Sequence, residues 1–476
     1  MDLISLIDRL PVDLLYIISN YDPSVIFRVN KKYDWFKLIK MNFSLSYERD
    51  LSTNEQMMKV YWDNCFFEKS KIICNLNYTI RLEDGSLMSC GDNSHGQLGI
   101  GGAGSKTNFF EISGLPKNIV EIANSDFSTI IRLTDGTLMG CGFNTYGQLG
   151  LGNTTRLNTF TEIRGIPKNI VDVICDPYHT IIRLTDGTLM GCGYNKFGQL
   201  GLGDKEARNR FTEIKGIPKN IVEVTCNCYR TIIRLTDGTL MGCGYNNYGQ
   251  LGLRYDQSAD VFLEIKNIPK NILRVICSEL HTIIVLTDGR LMACGYNLSG
   301  QLGLGDTRNR YLLEKISGIP QNIVEVACST HHTIIRLTDG TLMGCGNNEY
   351  GQLGLGHTES RKCFTKIREI PKNIAKVFAF QCNTILILTD GGLMGCGNNE
   401  YGQLGLGHTE SRKCFTKIRG IPKNVVEVMG HCDYIIIKLR NGKLMGCGSN
   451  RYGQLGLGDK RDRWLFEEIK IEKKYD

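Results

Sequence analysis

Cysteine and histidine are the residues of this chain best suited to chemistry, because thiols and imidazoles serve as nucleophiles, bases and metal ligands. The 476 residues include 19 cysteines and 8 histidines, and no Cys-x-x-Cys spacing occurs. Twelve of the cysteines fall on two recurring positions, which indicates small apolar packing residues that persist as thiols in a reducing compartment. The larger set is Cys90, Cys141, Cys192, Cys243, Cys294, Cys345, Cys396 and Cys447, and the smaller is Cys175, Cys226, Cys277 and Cys328.

Three histidines, His179, His281 and His332, also share one recurring position. Its other occupants differ too much for a common catalytic role, so we expect hydrogen bonding in a turn or loop there. No Ser-His-Asp set, phosphate loop, paired carboxylate or zinc spacing stands out, and the sequence predicts no enzyme, no cofactor and no metal site. The other occupants are Ser128, Arg230, Asn383 and Tyr434.

These positions recur because the chain is a repeat. The tetrapeptide Gly-Gln-Leu-Gly occurs eight times at intervals of 51 residues, from Gly96 to Gly453. Such a period predicts one supersecondary unit laid down again and again, with each unit burying its apolar faces against its neighbours.

One unit contains four short runs rich in β-forming residues, none of them long enough for a helix. A break at Pro116-Lys117-Asn118 and a tight-hairpin signal at Asp135-Gly136 separate neighbouring runs. Four antiparallel strands per unit predict the blade of a β-propeller. The runs are Phe110–Ile112, Ile119–Ala123, Thr129–Thr134 and Thr137–Gly142.

Fragments at the two ends of the repeat region favour a closed ring over an open solenoid. Residues 77–91 look like a unit without its first run, and Trp464–Ile469 looks like a first run without a following unit. We therefore expect the two ends to join in one blade, which would leave no exposed edge there. Residues 69–476 correspond to eight periods and predict eight blades.

The repeat resembles that of the regulator of chromosome condensation family, on the stretches 277–289 and 294–306. The resemblance covers about residues 70–470 and implies an all-β propeller. Members are usually seven-bladed, so seven blades stay the alternative to eight. The family's tryptophan in each repeat is a cysteine here.

Acidic and basic residues change together between repeats. An acid in the second run is matched by a base in the third in five units, whereas Arg274 is matched by Val285 and Lys376 by Ile387. Such co-variation predicts salt bridges across neighbouring strands, about 0.2–1 kcal/mol each, and argues against an arginine track for nucleic acid. The five pairs are Glu121 with Arg132, Asp172 with Arg183, Glu223 with Arg234, Glu325 with Arg336 and Glu427 with Lys438.

Residues 1–68 lack the period and have helix-forming composition, which predicts a separate small α-helical module before the propeller at 69–476. The pattern from Leu10 resembles an F-box, which implies docking to the Skp-type adaptor of a cullin ubiquitin ligase. The alternative is a helical cap packed on the blades. The docking residues that the resemblance implies are Leu10, Pro11, Leu14, Leu15 and Ile18.

Partner binding is expected on the side of the ring where the loops vary between repeats, because variable loops make an asymmetric surface. The net charge of +7 favours anionic partners without identifying one, and nucleic acid or chromatin stays an alternative. Seven arginines in these loops are the candidate contacts: Arg156, Arg208, Arg210, Arg308, Arg310, Arg361 and Arg412.

Two classes of function remain at this point. The first is a protein-protein interaction propeller, with the F-box resemblance implying a substrate receptor of a cullin-type ligase. The second, implied by the family resemblance, is guanine-nucleotide exchange on a Ran-like GTPase or regulation at chromatin, although the unbroken spacing leaves no insertion to act as a wedge. With no visible leader and no apolar run of bilayer length, we expect a cytoplasmic or nuclear protein without a membrane partner.

Overall fold

The computed structural model describes residues 72–75, 77–81, 85–227 and 229–471. Within them lie eight four-stranded antiparallel sheets, which confirms the all-β propeller and its eight blades. No helix in this part of the chain is long and apolar enough to cross a bilayer. The helical module predicted at residues 1–68 lies outside the described residues.

Each blade is built from consecutive strands. Blade 1 has β1 (Ile72–Cys74), β2 (Asn77–Arg81), β3 (Leu87–Gly91) and β4 (Lys106–Glu111), and blade 2 has β5 (Ile119–Asn124), β6 (Ser128–Leu133), β7 (Leu138–Gly142) and β8 (Leu157–Ile163). Blade 3 has β9 (Ile170–Cys175), β10 (His179–Leu184), β11 (Leu189–Gly193) and β12 (Arg208–Glu213), and blade 4 has β13 (Ile221–Asn227), β14 (Arg230–Leu235), β15 (Leu240–Gly244) and β16 (Ala259–Glu264).

The second half of the ring repeats the pattern. Blade 5 has β17 (Ile272–Cys277), β18 (His281–Leu286), β19 (Leu291–Gly295) and β20 (Arg310–Lys315), and blade 6 has β21 (Ile323–Cys328), β22 (His332–Leu337), β23 (Leu342–Gly346) and β24 (Arg361–Lys366). Blade 7 has β25 (Ile374–Ala379), β26 (Asn383–Leu388), β27 (Leu393–Gly397) and β28 (Arg412–Ile418), and blade 8 has β29 (Val425–Gly430), β30 (Tyr434–Leu439), β31 (Leu444–Gly448) and β32 (Arg463–Ile469).

The strands of a blade differ in how deeply they are buried. The two central strands of blade 2, β6 and β7, are buried almost throughout, whereas β8 is mostly exposed. The first strands of neighbouring blades contact one another, as β5 does β9. First strands therefore surround the axis of the ring, and fourth strands form its outer rim.

The expectation that Trp464–Ile469 joins the N-terminal fragment is wrong. The strand β32 pairs with β31, as the fourth strand of its own blade, and blade 1 is complete from residues 72–111. The reason lies in the connection after each third strand. In blade 2 the Asn144 side chain accepts a hydrogen bond from the Leu149 N–H and donates to the Asn153 carbonyl, so the chain folds back and the next strand pairs with the sheet it has just left.

The ring closes through bonds between blades rather than through a shared blade. The Gly152 N–H, which follows blade 2's Gly-Gln-Leu-Gly segment, donates to the Asn209 carbonyl of blade 3 at 2.7 Å. The equivalent Gly458 N–H of blade 8 donates to the Thr107 carbonyl of blade 1 at 2.9 Å. The same type of contact thus joins internal blades and the two ends.

A buried main-chain carbonyl lies at each junction. The Gln148 carbonyl accepts from the Thr180 hydroxyl at 2.8 Å and from the Cys192 thiol at 3.3 Å, both on the next blade. At the closing junction the Cys90 thiol donates to the Gln454 carbonyl at 3.7 Å. The eight cysteines at the first recurring position are all buried, so the packing role predicted for them is confirmed and includes a hydrogen bond.

Apolar packing surrounds these carbonyls. One buried cluster combines Ile130 and Leu149 of blade 2 with Ile182 and Phe211 of blade 3. The backbone of Gly150 has a φ of +69°, and a Cβ atom there would lie 2.5 Å from the Phe211 ring. This glycine is required both for the positive φ and for the close approach of the next blade.

The predicted acid-base pairs are present across the first and second strands. Nitrogen-oxygen distances are 2.8 Å for Arg132 with Glu121, 2.7 Å for Arg234 with Glu223 and 2.8 Å for Arg336 with Glu325. Arg183 pairs with Asp172 in the same way, and Lys438 lies directly across the ladder from Glu427.

These arginines also reach the next blade. The Arg183 guanidinium donates to the Ile221 carbonyl at 2.6 Å, and Arg336 donates to the Ile374 carbonyl at 3.3 Å. Where the base is replaced by Val285 or Ile387, that side chain is buried in the apolar core. The acid-base pairs and the buried apolar side chains that replace the base are therefore two ways of joining neighbouring blades.

On one side of the ring lie turns that are uniform between blades, namely the Asp-Gly hairpins and the Pro-Lys-Asn turns. We call this side the turn face. Lys168 of one turn contacts Asp135 of the preceding blade at 3.3 Å, and the same contact recurs for Lys219, Lys270 and Lys423. Gly136 has a φ of +81°, and a Cβ atom there would lie 1.7 Å from the Lys168 carbonyl oxygen. The turn face is a repeated scaffold.

Thr180→Val should lower stability by about 1 kcal/mol, because the Gln148 carbonyl loses its hydroxyl donor while side-chain volume is kept. Thr180→Ser keeps a hydroxyl and is the matched control. Thermal and denaturant unfolding of the full chain measure the difference; equal stability of the two variants would contradict a structural role for this bond.

Arg234→Val should cost about 1 kcal/mol, because it leaves the Glu223 carboxylate unpaired and removes a bond to the Ile272 carbonyl. Adding Glu223→Arg reproduces the Arg274 and Val285 pair that blade 5 already carries. Part of the lost unfolding free energy should then return. A double variant less stable than Arg234→Val would contradict the idea that an arginine-valine pair can replace the acid-base pair.

Candidate functional site

Variable loops gather on the side of the ring opposite the turn face. This loop face consists of the loops between first and second strands and the connections between third and fourth strands. In blade 2 the Phe143 N–H donates to the Phe127 carbonyl at 2.8 Å, which fastens one kind of loop to the other. The Gln148 side chain donates to the Pro177 carbonyl of blade 3 at 3.0 Å, so the loop face is continuous between these blades.

Four of the seven predicted contact arginines are held within their own connections. Arg208 binds Asp204, and Arg310 binds both Asp306 and Glu314, with only 12% of the Arg310 side chain exposed. Arg361 and Arg412 have identical surroundings, each against a histidine and a glutamate four and two residues earlier. These four side chains hold the connections in shape and leave little free charge for a partner.

The other three arginines are placed differently. Arg156 donates to the Ser94 carbonyl of blade 1 at 3.1 Å, and its guanidinium carbon lies 6.0 Å from the centre of the Phe143 ring. Arg210 lies against Gly152. Arg308 pairs with Asp306 yet keeps 84% of its side chain exposed. The seven arginines are distributed over five blades, and the contacts described do not bring them together in one patch.

What the loop face does bring together is a run of aromatic side chains, which the sequence reasoning missed. Ring centres within 4.8–6.4 Å form an unbroken series of mostly edge-to-face contacts from blade 1 to blade 6. We call this series the aromatic arc. Its members are His95, Phe127, Phe143, Tyr146, Tyr178, Tyr194, Phe197, Tyr229, Tyr245, Tyr248, Tyr296 and His331.

The arc occupies only part of the ring. The position of Tyr194 and Tyr245 is held by Asn347, Asn398 and Ser449 in blades 6 to 8. Since those blades form without a ring at that position, an aromatic residue there is not needed for the blade junctions. Comparison of repeats shows from sequence that this position is aromatic in some units and polar in others, but not that the rings of neighbouring blades meet.

The recurring histidine position lies beside the arc but is buried. His179 contacts Asp176 at 2.6 Å and Thr231 of blade 4 at 3.1 Å, while His281 and His332 each contact a serine three residues earlier. At the same position the Tyr434 hydroxyl donates to the Asn75 carbonyl of blade 1. Loop hydrogen bonding was predicted here, and the structure adds bonds to the next blade.

These three histidines differ in charge because their surroundings differ. Burial would lower the pKa of His179, but the Asp176 carboxylate raises it to about 10. Burial, aided by the charge of Arg230, lowers the pKa of His281 to about 3, and burial lowers that of His332 to about 3. His179 is therefore an imidazolium in a buried ion pair, whereas the other two stay neutral.

Arg230 supplies a charge to the same layer. Its side chain is almost wholly buried and donates to the Ser278, Glu279 and His281 carbonyls of blade 5 at 2.8–3.1 Å. These acceptors account for its position as a link between blades 4 and 5. In the part of the chain the structure describes, no three His, Cys, Asp or Glu side chains are grouped in a way that could hold a metal ion.

Comparison with family models assigns the fold to a family. The model of the RCC1-like domain matches residues 68–317, and models of the regulator of chromosome condensation (RCC1) repeat match 323–352, 339–382 and 390–436. The chain belongs to the RCC1 repeat family. Eight blades and a cysteine in place of the family's tryptophan depart from the pattern that the resemblance implied.

Relatives with related sequences include the ultraviolet-B receptor UVR8 of Arabidopsis thaliana, 28% identical over 74% of this chain and 82% of UVR8. The probable E3 ubiquitin-protein ligase HERC4 of Homo sapiens is 29% identical over 70% of this chain. The match spans only 32% of HERC4.

Solved structures support the fold. Prp20p of Saccharomyces cerevisiae has a TM-score of 0.56 at 18% identity, with 77% of this chain and 92% of that chain covered. Human WBSCR16 has a TM-score of 0.56 at 19% identity, with 69% and 92% covered. At these identities the likeness concerns architecture alone.

Acid should destabilise the propeller through its neutral buried histidines. Unfolded histidine takes up a proton near pH 6.5, whereas folded His281 and His332 do so only near pH 3. Stability is therefore lost as pH falls below 6.5, by about 1 kcal/mol per pH unit for each histidine. His332→Asn, the residue blade 7 carries at Asn383, should flatten this slope in denaturant unfolding measured across pH.

His179→Asn is the matched control, because its folded pKa is raised. The stabilisation from His179 is complete below pH 6.5 and is lost as pH rises towards 10, so this variant should alter the alkaline side. An acid slope that His332→Asn leaves unchanged would contradict the assignment.

Proposed function

We propose that this protein is a protein-interaction propeller that receives a partner on its loop face. The observation that carries the proposal is the contrast between the two faces. The turn face repeats the same lysine-aspartate contacts from blade to blade, whereas the loop face carries the aromatic arc on blades 1 to 6 and has asparagine or serine at the Tyr194 position on blades 6 to 8. An asymmetric surface on a symmetric scaffold suits recognition of one partner in one orientation.

We further propose that residues 1–68 are an F-box-like module that docks a Skp-type adaptor, so that the propeller acts as a substrate receptor of a cullin-type ubiquitin ligase. Support comes from the sequence pattern around Leu10, Pro11, Leu14, Leu15 and Ile18, which lies outside the described residues. The HERC4 relative is named as a probable ubiquitin ligase, which is consistent with a place in that pathway.

Guanine-nucleotide exchange is the second candidate. It draws support from Prp20p, whose structure is described together with its binding to Gsp1p and histones. The unbroken 51-residue spacing argues against exchange, because it leaves no inserted segment that could act as a wedge. We rank it below the receptor function.

The test is recovery of partners by the full chain carrying Leu14→Asp and Ile18→Asp, compared with the unaltered chain and with Asp13→Lys as control. Loss of cullin adaptors from the double variant alone would support the receptor function, because a docking surface of this kind depends on its apolar residues. Equal recovery by all three, or no adaptor at all, would contradict adaptor docking. Recovery of a GTPase whose nucleotide release the chain accelerates would favour exchange.

A further inference from the structure

The aromatic arc is a partly exposed surface on the loop face. Tyr229 is 36% exposed, and Tyr178 and Tyr194 are neither buried nor fully exposed. Rings of Tyr229 and Tyr178 stack at 5.4 Å with planes 13° apart, which presents a broad apolar surface spanning blades 3 and 4. Tyrosine-rich surfaces of this kind supply much of the contact energy in protein interfaces because they are large and rigid.

Cations already lie against rings of this face. The Arg156 guanidinium lies 6.0 Å from the Phe143 ring centre, and that of Arg451 lies 5.1 Å from the centre of Tyr401. These distances are those of cation-π contacts. The loop face therefore offers ring faces that accept lysine and arginine side chains.

Three carboxylates lie on the loop face near the end of the arc. Glu349 and Glu400 are exposed and follow the third strands of blades 6 and 7, and Asp433 is half-buried in the loop between the first and second strands of blade 8. No ion pair joins these three to a basic residue among the described residues. Burial raises the pKa of the Cys382 thiol, and the charges of these three carboxylates raise it further. The arc and the carboxylates are parts of one face, because the arc's last ring, His331, belongs to blade 6.

We propose that the aromatic arc and the carboxylates of Glu349, Glu400 and Asp433 form one docking surface for an extended segment of a partner protein. Apolar side chains of that segment lie on the tyrosine rings, and lysine or arginine side chains lie on the carboxylates. The inference rests on the interaction function proposed above and adds the chemistry of the partner.

Charge favours a basic protein segment over nucleic acid. Phosphates would be repelled by the three carboxylates, whereas ammonium and guanidinium groups would be attracted. The arginines that would otherwise hold phosphates, such as Arg208 and Arg310, are paired with acids of their own connections.

The probe is an array of synthetic peptides of about 15 residues, which reach about 50 Å when extended. One set alternates arginine or lysine with leucine, proline and tyrosine in varied spacings, and a second set carries glutamate in place of each basic residue. A single-stranded thymidine oligonucleotide is the third probe. The full chain should retain members of the basic set and neither of the other probes, and raising the ionic strength should weaken retention.

Two variants locate the binding. Tyr194→Asn with Tyr245→Asn installs the residue that blades 6 and 7 carry at this position, so the fold should persist while affinity falls about tenfold. Glu349→Gln with Glu400→Gln and Asp433→Asn should weaken binding severalfold and reduce its salt dependence. The matched control for charge is Glu111→Gln with Glu213→Gln and Glu264→Gln, which alters exposed carboxylates on fourth strands and should leave binding unchanged.

Retention of the acidic peptides or the oligonucleotide, no retention of any peptide, or equal retention by the chain and both loop-face variants would overturn the proposal. Thermal unfolding of each variant shows that a loss of binding is not a loss of fold. The adaptor experiment with Leu14 and Ile18 does not involve these residues. Failure of the docking surface would thus leave the receptor function intact, and failure of adaptor docking would leave this surface intact.

Discussion

The propeller depends on how each blade binds the main-chain carbonyl of the glutamine in the preceding Gly-Gln-Leu-Gly segment. That carbonyl is buried, and an unsatisfied buried carbonyl would cost about 1–3 kcal/mol. A cysteine thiol of the next blade supplies a donor at all eight junctions. A threonine hydroxyl supplies a second donor at six of them, as at Gln148. Because a cysteine makes the same contact at the closing junction with Gln454, one interaction holds both the internal blades and the two ends of the ring.

This junction also explains why other positions vary. With the glutamine carbonyl satisfied, the neighbouring recurring position accepts several different polar groups, most of which reach the next blade. His179 reaches the Thr231 hydroxyl of blade 4, Arg230 reaches three carbonyls of blade 5, and the Tyr434 hydroxyl reaches one carbonyl of blade 1. The variation that argued against catalysis from sequence is the variation expected of interchangeable links.

The two faces of the ring differ in how much their side chains can vary. The turn face is constrained by backbone contacts, such as the approach of Gly136 to the Lys168 carbonyl, and leaves little room for change. On the loop face the asparagine that folds each connection, Asn144 in blade 2, holds the backbone while neighbouring side chains stay free to differ. The aromatic arc on blades 1 to 6 and the carboxylates of Glu349 and Glu400 on blades 6 and 7 are the result, and they make one face of a repetitive fold asymmetric.

The amino-acid sequence determined what is local or repeated. The 51-residue period predicted the blades and their number, Asp-Gly predicted the hairpins, and co-variation predicted the pairing of Glu121 with Arg132, since all of these act within one repeat. Only the tertiary structure decided that Arg463–Ile469 belongs to its own blade, because strand membership depends on how the Asn-centred connection folds back. It alone showed the aromatic arc, whose rings meet across blade junctions: Tyr146 and Tyr194 are 48 positions apart in sequence and 4.8 Å apart in space.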